Sequence, residues 1–250
     1  IERRRAQGKL VNLGGRLQDQ PVNGTIGIGH TRWATHGVPS EDNAHPHATA
    51  RVAVVHNGII ENFQELREDL SDDGHNFETD TDTEAVAHLI DRFLNDGLSP
   101  QDAVAAALPK LEGAFALVMI FAGEHDLMIG ARRGSPLAIG YGEGEMYFGS
   151  DALALAPLTQ KICYLEEGDW AVVTSSGAKV MNGDGEPVER SVVQTALSGA
   201  MIGKGNYRHF MQKEIFEQPS VVGDTLHSML NPATQTITLP PFEIDLSAVP

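Results

Sequence analysis

Two uninterrupted apolar runs decide the fold class: Val52-Ala53-Val54-Val55 and Phe115-Ala116-Leu117-Val118-Met119-Ile120. A strand that lies between two packed layers has no solvent-facing side and therefore lacks the alternation of polar and apolar residues. The two runs accordingly predict strands that are covered on both faces. Shorter strand-like runs, most of them bounded by Gly, Pro, Asn or Asp, are predicted at 25–29, 126–131, 137–141, 146–149, 161–165 and 170–174.

Helical patterns supply the covering layers. Apolar residues recur at spacings of three and four in 61–70 and 83–94, and an alanine-rich stretch at 101–108 ends before a proline. These helices follow one another between the two apolar runs. The pattern therefore favours a mixed α+β layering over strict βαβ alternation and disfavours a doubly wound dinucleotide fold. Farther along, a short polar helix is predicted at 207–217 and another at 219–229, where a proline suits the first turn.

The composition limits the function classes. The 250 residues carry a formal net charge of −16, which disfavours nucleic-acid binding, and no apolar run approaches the ~18 residues of a membrane span. The single cysteine, Cys163, excludes an internal disulfide framework and a multi-cysteine zinc site, and is compatible with a reducing cytoplasm. Because the chain begins at Ile1 rather than Met, we expect it to be a piece of a longer, cytoplasmic protein.

Five of the ten histidines lie between residues 30 and 57: His30, His36, His45, His47 and His56. Imidazole is a common metal ligand, so a metal site, and with it a metal-dependent hydrolase, is one interpretation. The spacing matches no standard zinc arrangement, because there is neither an HExxH motif nor a pair of cysteines. For His45, His47 and His56 we favour a structural role, in which the imidazoles bond loops at strand ends.

The dipeptide Asn57-Gly58 follows the first apolar run. The side-chain amide of Asn57 and the backbone N–H of Gly58 could point at one spot, as an oxyanion hole requires. Taken alone, an Asn-Gly dipeptide is a strong signal of a type I′ hairpin turn. The residues leave both interpretations open.

Two charged residues flank this dipeptide in the sequence. Arg32 offers a planar fork for a carboxylate, and Asp82 could receive an ammonium group. Alternatively, Asp82 or Thr81 simply caps the helix that begins near Thr83. A cationic and an anionic site on either side of an oxyanion hole would suit an α-amino acid that undergoes acyl transfer, although no nucleophile is evident.

Several motifs occur together and in order: HTRWATHG at 30–37, NAHPH at 43–47, HNGIIEN at 56–62, TDTE at 81–84, GSPL at 134–137, LEEGD at 165–169 and YRHFMQKEI at 207–215. Through them the sequence resembles the glucosamine-6-phosphate synthases, a family of class II glutamine amidotransferases, up to about residue 229. The resemblance implies a four-layer αββα sandwich of the N-terminal-nucleophile hydrolase type, here lacking its first strand and helix.

The resemblance also implies a chemistry. In that family an N-terminal cysteine attacks the side-chain amide of L-glutamine with its own α-amine as base, and the ammonia aminates fructose 6-phosphate in a separate isomerase domain. It implies no cofactor, no metal and a homodimer formed through the isomerase domain. The family's opening Cys-Gly-Ile-Val segment is not in this sequence, and Cys163 lies in an apolar run where we expect it to be buried. The chain by itself is therefore predicted to be inactive.

Individual roles follow from the same resemblance. Asn57 and Gly58 would form the oxyanion hole, Arg32 would bind the α-carboxylate of glutamine, and Asp82 would hold its α-ammonium group. Two alternatives stay open: a non-catalytic glutamine-binding module, and the glutaminase domain of another amidotransferase.

Three residues of the first motif complete the implied site. Thr35 and His36 would belong to the glutamine-binding loop, and Trp33 would gate the ammonia route. The implied organisation is a glutaminase domain at 1–200, hinge helices toward the isomerase domain at 201–230, and a linker or tail at 231–250.

Overall fold

The computed structural model describes residues 1–32, 38, 40–195, 204–231 and 236–237. The helices are α1 (Leu10–Asp19), α2 (Phe63–Asp72), α3 (Asp82–Asn95), α4 (Pro100–Ala107), α5 (Ala152–Leu155) and α6 (Phe210–Met229), with a 3-10 turn at Leu108–Lys110. The strands are β1 (His47–Ala48), β2 (Val52–Ile60), β3 (Gly113–Phe121), β4 (Met128–Arg133), β5 (Ala138–Tyr141), β6 (Met146–Gly149), β7 (Lys161–Tyr164), β8 (Trp170–Thr174), β9 (Gly177–Met181), β10 (Pro187–Val188), β11 (Val192–Gln194), β12 (Leu230–Asn231) and β13 (Thr236–Ile237).

The described strands form two antiparallel sheets and a short hairpin. The larger sheet has the order β1-β2-β3-β4-β8-β9-β10, the smaller one has the order β11-β7-β5-β6, and β12 pairs with β13. The two apolar runs of the sequence lie in β2 and β3, which are neighbours along their full length, from the pair Val52–Phe121 to the pair Ile60–Gly113.

Both faces of the larger sheet are covered. On one face, helices α2 to α4 contribute to a core in which Leu89 of α3 and Leu117 of β3 belong to the same cluster. On the opposite face, Val118 of β3 shares a second core with Ile139 and Cys163 of the smaller sheet. This double covering explains why β2 and β3 have no polar side over most of their length, and it confirms that Cys163 is buried.

The smaller sheet has a further covering on its outer face. There Ile162 of β7 shares a third core cluster with Leu155 of α5. The layers therefore follow the order helices, larger sheet, smaller sheet, short helix. The structure confirms the predicted α+β class and the αββα order of layers.

Two local predictions differ from the structure, and one helix was not predicted. Residues 25–29 form no strand, because the glycines in and beside this stretch weaken strand pairing. The helices predicted at 207–217 and 219–229 are one continuous helix, α6, with Pro219 in its interior. There Pro219 costs an intrahelical hydrogen bond, which it would not cost in a first turn. Helix α1 has no counterpart among the predictions.

The chain divides into two compact units, Ile1–Gly199 and Ala200–Pro250. The first unit holds both large sheets and helices α1 to α5, and the second holds α6 and the β12–β13 hairpin. Among the helices of the described ranges, none combines the length and the apolar character that crossing a membrane demands.

Candidate active site

Three separate sequence motifs meet at one cavity of about 240 Å³ in the first unit. Ten of the described residues line it: His30, Arg32, His45, His56, Asn57, Gly58, Ile59, Thr81, Asp82 and Thr83. Four residues singled out in the sequence, Arg32, Asn57, Gly58 and Asp82, are thus brought together. The other three, Trp33, Thr35 and His36, lie outside the described residues.

Asn57 and Gly58 belong to the end of strand β2 and not to a hairpin turn. Asn57 pairs with Ala116 and Gly58 with Phe115 on the neighbouring strand, so the hairpin interpretation is wrong. Gly58 has a φ of +126°, and a Cβ atom at this position would overlap the backbone carbonyl of Ala114. Only glycine fits the backbone at position 58. Asn57 and Gly58 are both exposed at the cavity, as a binding site for a developing oxyanion requires.

Asp82 is the first residue of α3 and is 4% exposed. Its Oδ2 atom accepts a hydrogen bond of 2.9 Å from the backbone N–H of Ile60 and lies 3.7 Å from Nδ1 of His56. Neither Asp82 nor Thr81 caps the helix, since Asp82 lies inside α3 and the side chain of Thr81 makes no capping bond. The carboxylate is therefore held against β2, beside the helix N-terminus, whose dipole favours negative charge.

Arg32 is tied to the loop that precedes β1. Its Nη1 donates to the carbonyl of Val38 at 3.1 Å, and the same carbonyl accepts from Nδ2 of Asn43 at 3.2 Å. The carboxamide of Asn43 in turn accepts from the backbone N–H of Asp80 at 3.1 Å. Buried Asn43 thus connects the segment of Arg32 with the loop that leads to Asp82.

Thr83 joins the remaining elements of the site. Its Oγ1 atom lies 3.0 Å from Nε2 of His45 and 3.0 Å from Nδ1 of His56, and its side chain is fully buried. A hydroxyl has only one hydrogen, so at least one of the two imidazoles donates to it. Through this hydroxyl the N-terminus of α3 is connected to β2 and to the loop before β1.

Residues 30–157, more than half of the chain, match the family described as "Glutamine amidotransferase domain". The chain belongs to this family.

Two relatives of this glutamine amidotransferase domain share one name. The chain is 60% identical over 246 residues to a glutamine–fructose-6-phosphate aminotransferase (isomerizing) of Bradyrhizobium diazoefficiens, covering 97% of the chain and 40% of the relative. It is 52% identical over 250 residues to the protein of that name from Gluconobacter oxydans, covering 100% of the chain and 41% of the relative. The chain thus spans about two fifths of the length of these relatives.

Two solved structures resemble the amidotransferase domain. A glutamine phosphoribosylpyrophosphate (PRPP) amidotransferase from B. subtilis, complexed with ADP and GMP, is 28% identical with a TM-score of 0.52, over 62% of this chain and 34% of that one. A structure titled as the allosteric regulatory enzyme of purine biosynthesis is 29% identical with a TM-score of 0.51, over the same shares. Both support the fold of the N-terminal-nucleophile hydrolase type.

The histidines of this amidotransferase domain form a packed cluster beside the cavity. The ring of His45 lies 4.3 Å from that of His30 and 4.9 Å from that of His47, between centroids. Burial, reinforced by the neighbouring His30, lowers the pKa of His45 to about 2, and burial lowers the pKa of His47 to about 4. Their partners are threonines near the start of α3: Thr83 for His45, and Thr81 for His47 at 3.1 Å. The described residues contain no group of three or more His, Cys, Asp and Glu that could hold a metal ion.

This cluster predicts an acid-sensitive fold. Below about pH 6.5 His47 becomes protonated in the unfolded chain but stays neutral in the folded protein, where its pKa is about 4. The free energy of unfolding therefore falls as the pH drops from about 6.5 towards 4. Each such histidine contributes up to about 1.4 kcal/mol per pH unit. The variant His47→Gln is expected to flatten this decline in chemical unfolding measured at successive pH values, whereas His125→Gln, at an exposed position, is expected to leave it unchanged. Equal slopes in all three proteins would contradict the prediction.

Two supporting residues of the site had no assigned role in the sequence. Thr83 stands between two acidic residues at a helix start, where capping explains a threonine equally well. The carboxylate of Glu84 accepts from the backbone N–H groups of Glu78 and Thr79, each at 2.8 Å. Burial raises the pKa of Glu84, but the imidazole of His88, 3.8 Å away, and hydrogen bonds from this loop lower it to about 2 overall. The partners of Thr83 are distant in the sequence, and those of Glu84 lie in an irregular loop. The contacts of both side chains are therefore visible only in the folded structure.

Proposed function

We propose that the chain is the glutamine-hydrolysing part of a glutamine–fructose-6-phosphate aminotransferase, which makes glucosamine 6-phosphate from fructose 6-phosphate and L-glutamine. The observation that carries the proposal is the convergence of Asn57, Gly58, Arg32 and Asp82 on one cavity. The identity of 52% to 60% with relatives of that name favours this aminotransferase over an amidotransferase with another acceptor.

The two charges flanking the cavity suit the two ends of an α-amino acid. Arg32 would pair its guanidinium with the α-carboxylate of glutamine, and the buried carboxylate of Asp82 would pair with the α-ammonium group. Because the N–H of Ile60 already occupies Oδ2 of Asp82, the carboxylate is preoriented before glutamine arrives. The side-chain amide of glutamine would then extend towards Asn57 and Gly58.

The reaction is an acyl transfer in two steps. A thiol adds to the amide carbon and its proton leaves with ammonia, so the C–N bond breaks and a thioester forms, which water hydrolyses to glutamate. In the tetrahedral intermediate the amide oxygen becomes an oxyanion, which the Gly58 N–H and the Asn57 carboxamide would stabilise. Cys163, the single cysteine of the chain, is buried between the sheets and does not line the cavity. We therefore propose that the attacking thiol is supplied from outside these 250 residues.

The remaining assignments stay predictions. Thr35 and His36 would complete the glutamine-binding loop, and Trp33 would gate the ammonia route. Residues 1–200 would form the glutaminase domain, 201–230 a hinge, and 231–250 a linker. The full-length protein would form a homodimer through its isomerase domain and would act in the cytoplasm.

The test is a product assay on the full-length protein. With L-glutamine and fructose 6-phosphate, we expect glutamate and glucosamine 6-phosphate in equal amounts, and we expect Arg32→Ala to lose both at low glutamine. Reactions without fructose 6-phosphate are the control for uncoupled hydrolysis. Release of glutamate without the amino sugar would instead indicate an amidotransferase with another acceptor. Binding of glutamine without release of glutamate would indicate a non-catalytic binding module.

A further inference from the structure

The side chain of His30 touches the carboxamide of Asn57. Nε2 of His30 lies 2.7 Å from Oδ1 of Asn57. A carboxamide oxygen has no hydrogen to give, so the imidazole donates the proton of this bond from Nε2. Burial lowers the pKa of His30, which keeps the ring neutral with a single N–H. That one hydrogen is therefore committed to Asn57.

This bond decides which end of the Asn57 carboxamide is available to a ligand. The carboxamide can turn by 180°, which exchanges its oxygen and its NH₂ group with little change of shape. With the oxygen bound to His30, the NH₂ group is left for the cavity, where an oxyanion needs a donor. In the reverse orientation the oxygen would face the developing negative charge and repel it.

The surroundings of His30 favour this orientation over the reverse one. The reverse would require a proton on Nδ1 and a bare Nε2, but Nδ1 of His30 is buried and has no hydrogen-bond partner among the described residues. Buried N–H groups without an acceptor are rarer in protein structures than buried acceptors without a donor. The ring is further held by His45, 4.3 Å away between centroids, which is itself bonded to Thr83.

We propose that His30 is a positioning residue that orients the carboxamide of Asn57 so that its NH₂ group faces the substrate oxyanion. The role rests on the proposed function, because an oxyanion forms only if glutamine is hydrolysed here. His30 itself does not touch the reacting atoms and acts through Asn57.

The first experiment requires no activity. In protein with ¹⁵N-labelled histidine, the His30 ring is expected to show a protonated Nε2 and a bare Nδ1 near pH 7, with the signal assigned from its loss in His30→Gln. A protonated Nδ1, or a charged ring, would overturn the proposal. This readout stands even if the protein does not hydrolyse glutamine, in which case the proposed function fails separately.

The second experiment measures glutamine hydrolysis by the full-length protein. Losing one oxyanion donor outright lowers kcat by roughly 100- to 1000-fold, so misorienting it in His30→Leu is expected to lower kcat by roughly 10- to 100-fold with KM changed less than about threefold. His30→Gln, whose amide can donate to Asn57, is expected to recover most of the loss. The matched control is His75→Leu, at a histidine that pairs with His88 outside the cavity, and its kcat is expected to stay within about twofold.

A double variant separates positioning from a general packing effect. Once Asn57→Ala has removed the carboxamide, adding His30→Leu is expected to lower kcat no further, because residues that act as one unit are non-additive. The proposal would be overturned if the two substitutions lowered kcat multiplicatively in the double variant. It would also be overturned if His30→Gln did not recover the kcat that His30→Leu loses. Should His30→Leu fail to fold, the rescue variant and the ¹⁵N spectrum still decide.

Discussion

Replacing Gly58 by alanine is expected to be among the most damaging single changes in this chain. The new Cβ would overlap the carbonyl of Ala114 across the β2–β3 pair, at a φ of +126° that L-residues rarely adopt. The conformational penalty is about 1–2 kcal/mol and overpacking adds about 1–3 kcal/mol, so the free energy of unfolding should fall by about 2–5 kcal/mol. Chemical denaturation measures this directly, and glutamine hydrolysis should be lost in parallel because the Gly58 N–H moves.

Gly97 offers the matched control. It has a φ of +89°, and nothing lies within 4 Å of a Cβ atom placed there. Gly97→Ala therefore carries only the conformational penalty, about 1–2 kcal/mol, and should leave hydrolysis intact. If Gly58→Ala were no more destabilising than Gly97→Ala, the close approach of β2 to Ala114 would be wrong.

The second large effect is expected from Asp82→Asn. Asparagine keeps an oxygen for the N–H of Ile60 and removes only the negative charge. Under the proposed role of Asp82, the substitution leaves the ammonium group of glutamine without its buried partner, which costs about 2–5 kcal/mol, so KM for glutamine should rise at least about 30-fold. Because this interaction is made equally in the ground and transition states, kcat at saturating glutamine should change little.

Asp80→Asn changes the net charge by the same amount two residues away. Asp80 is exposed and does not line the cavity, so its substitution should leave KM within about twofold. An equal rise of KM in both variants would indicate a long-range charge effect. If KM did not rise in Asp82→Asn, the proposal that Asp82 binds the ammonium group would be wrong.

The layers of the fold could be predicted because they depend on local apolar content. A strand such as 115–120 without a polar side demands cover on both faces, and helices 83–94 and 101–108 show where part of that cover comes from. Local pattern also misled: residues 25–29 are rich in β-branched residues and glycine but form no strand, and Pro219 lies inside α6 rather than at its start. In both places several local conformations have similar free energies, so the sequence pattern does not select one of them.

The candidate site was predicted as a set of residue types, and its geometry was not. Asn-Gly reads equally as a turn or an oxyanion hole until the pairing of Gly58 with Phe115 places it inside a strand. The sequence is equally compatible with Asp82 as a cap or as a ligand, and only its position inside α3, with its carboxylate bonded to the N–H of Ile60, excludes the capping role. Thr83 had no predicted role and His30 was considered only as a possible metal ligand, because their contacts are with residues far away in the chain: His56 is 27 residues from Thr83, and Asn57 is 27 residues from His30.

The sequence by itself determined the α+β class, the burial of Cys163 and the motifs that resemble class II amidotransferases, since each is written in residues close together in the chain. Only the tertiary structure decided that 30–32, 56–59 and 81–83 share one cavity, that Gly58 excludes a side chain, and that the imidazole of His30 lies 2.7 Å from the carboxamide of Asn57. The physical reason is the separation along the chain of the residues that interact. Apolar periodicity records the burial of each residue individually, whereas hydrogen bonds and close approaches between distant segments exist only once sheets and helices have packed.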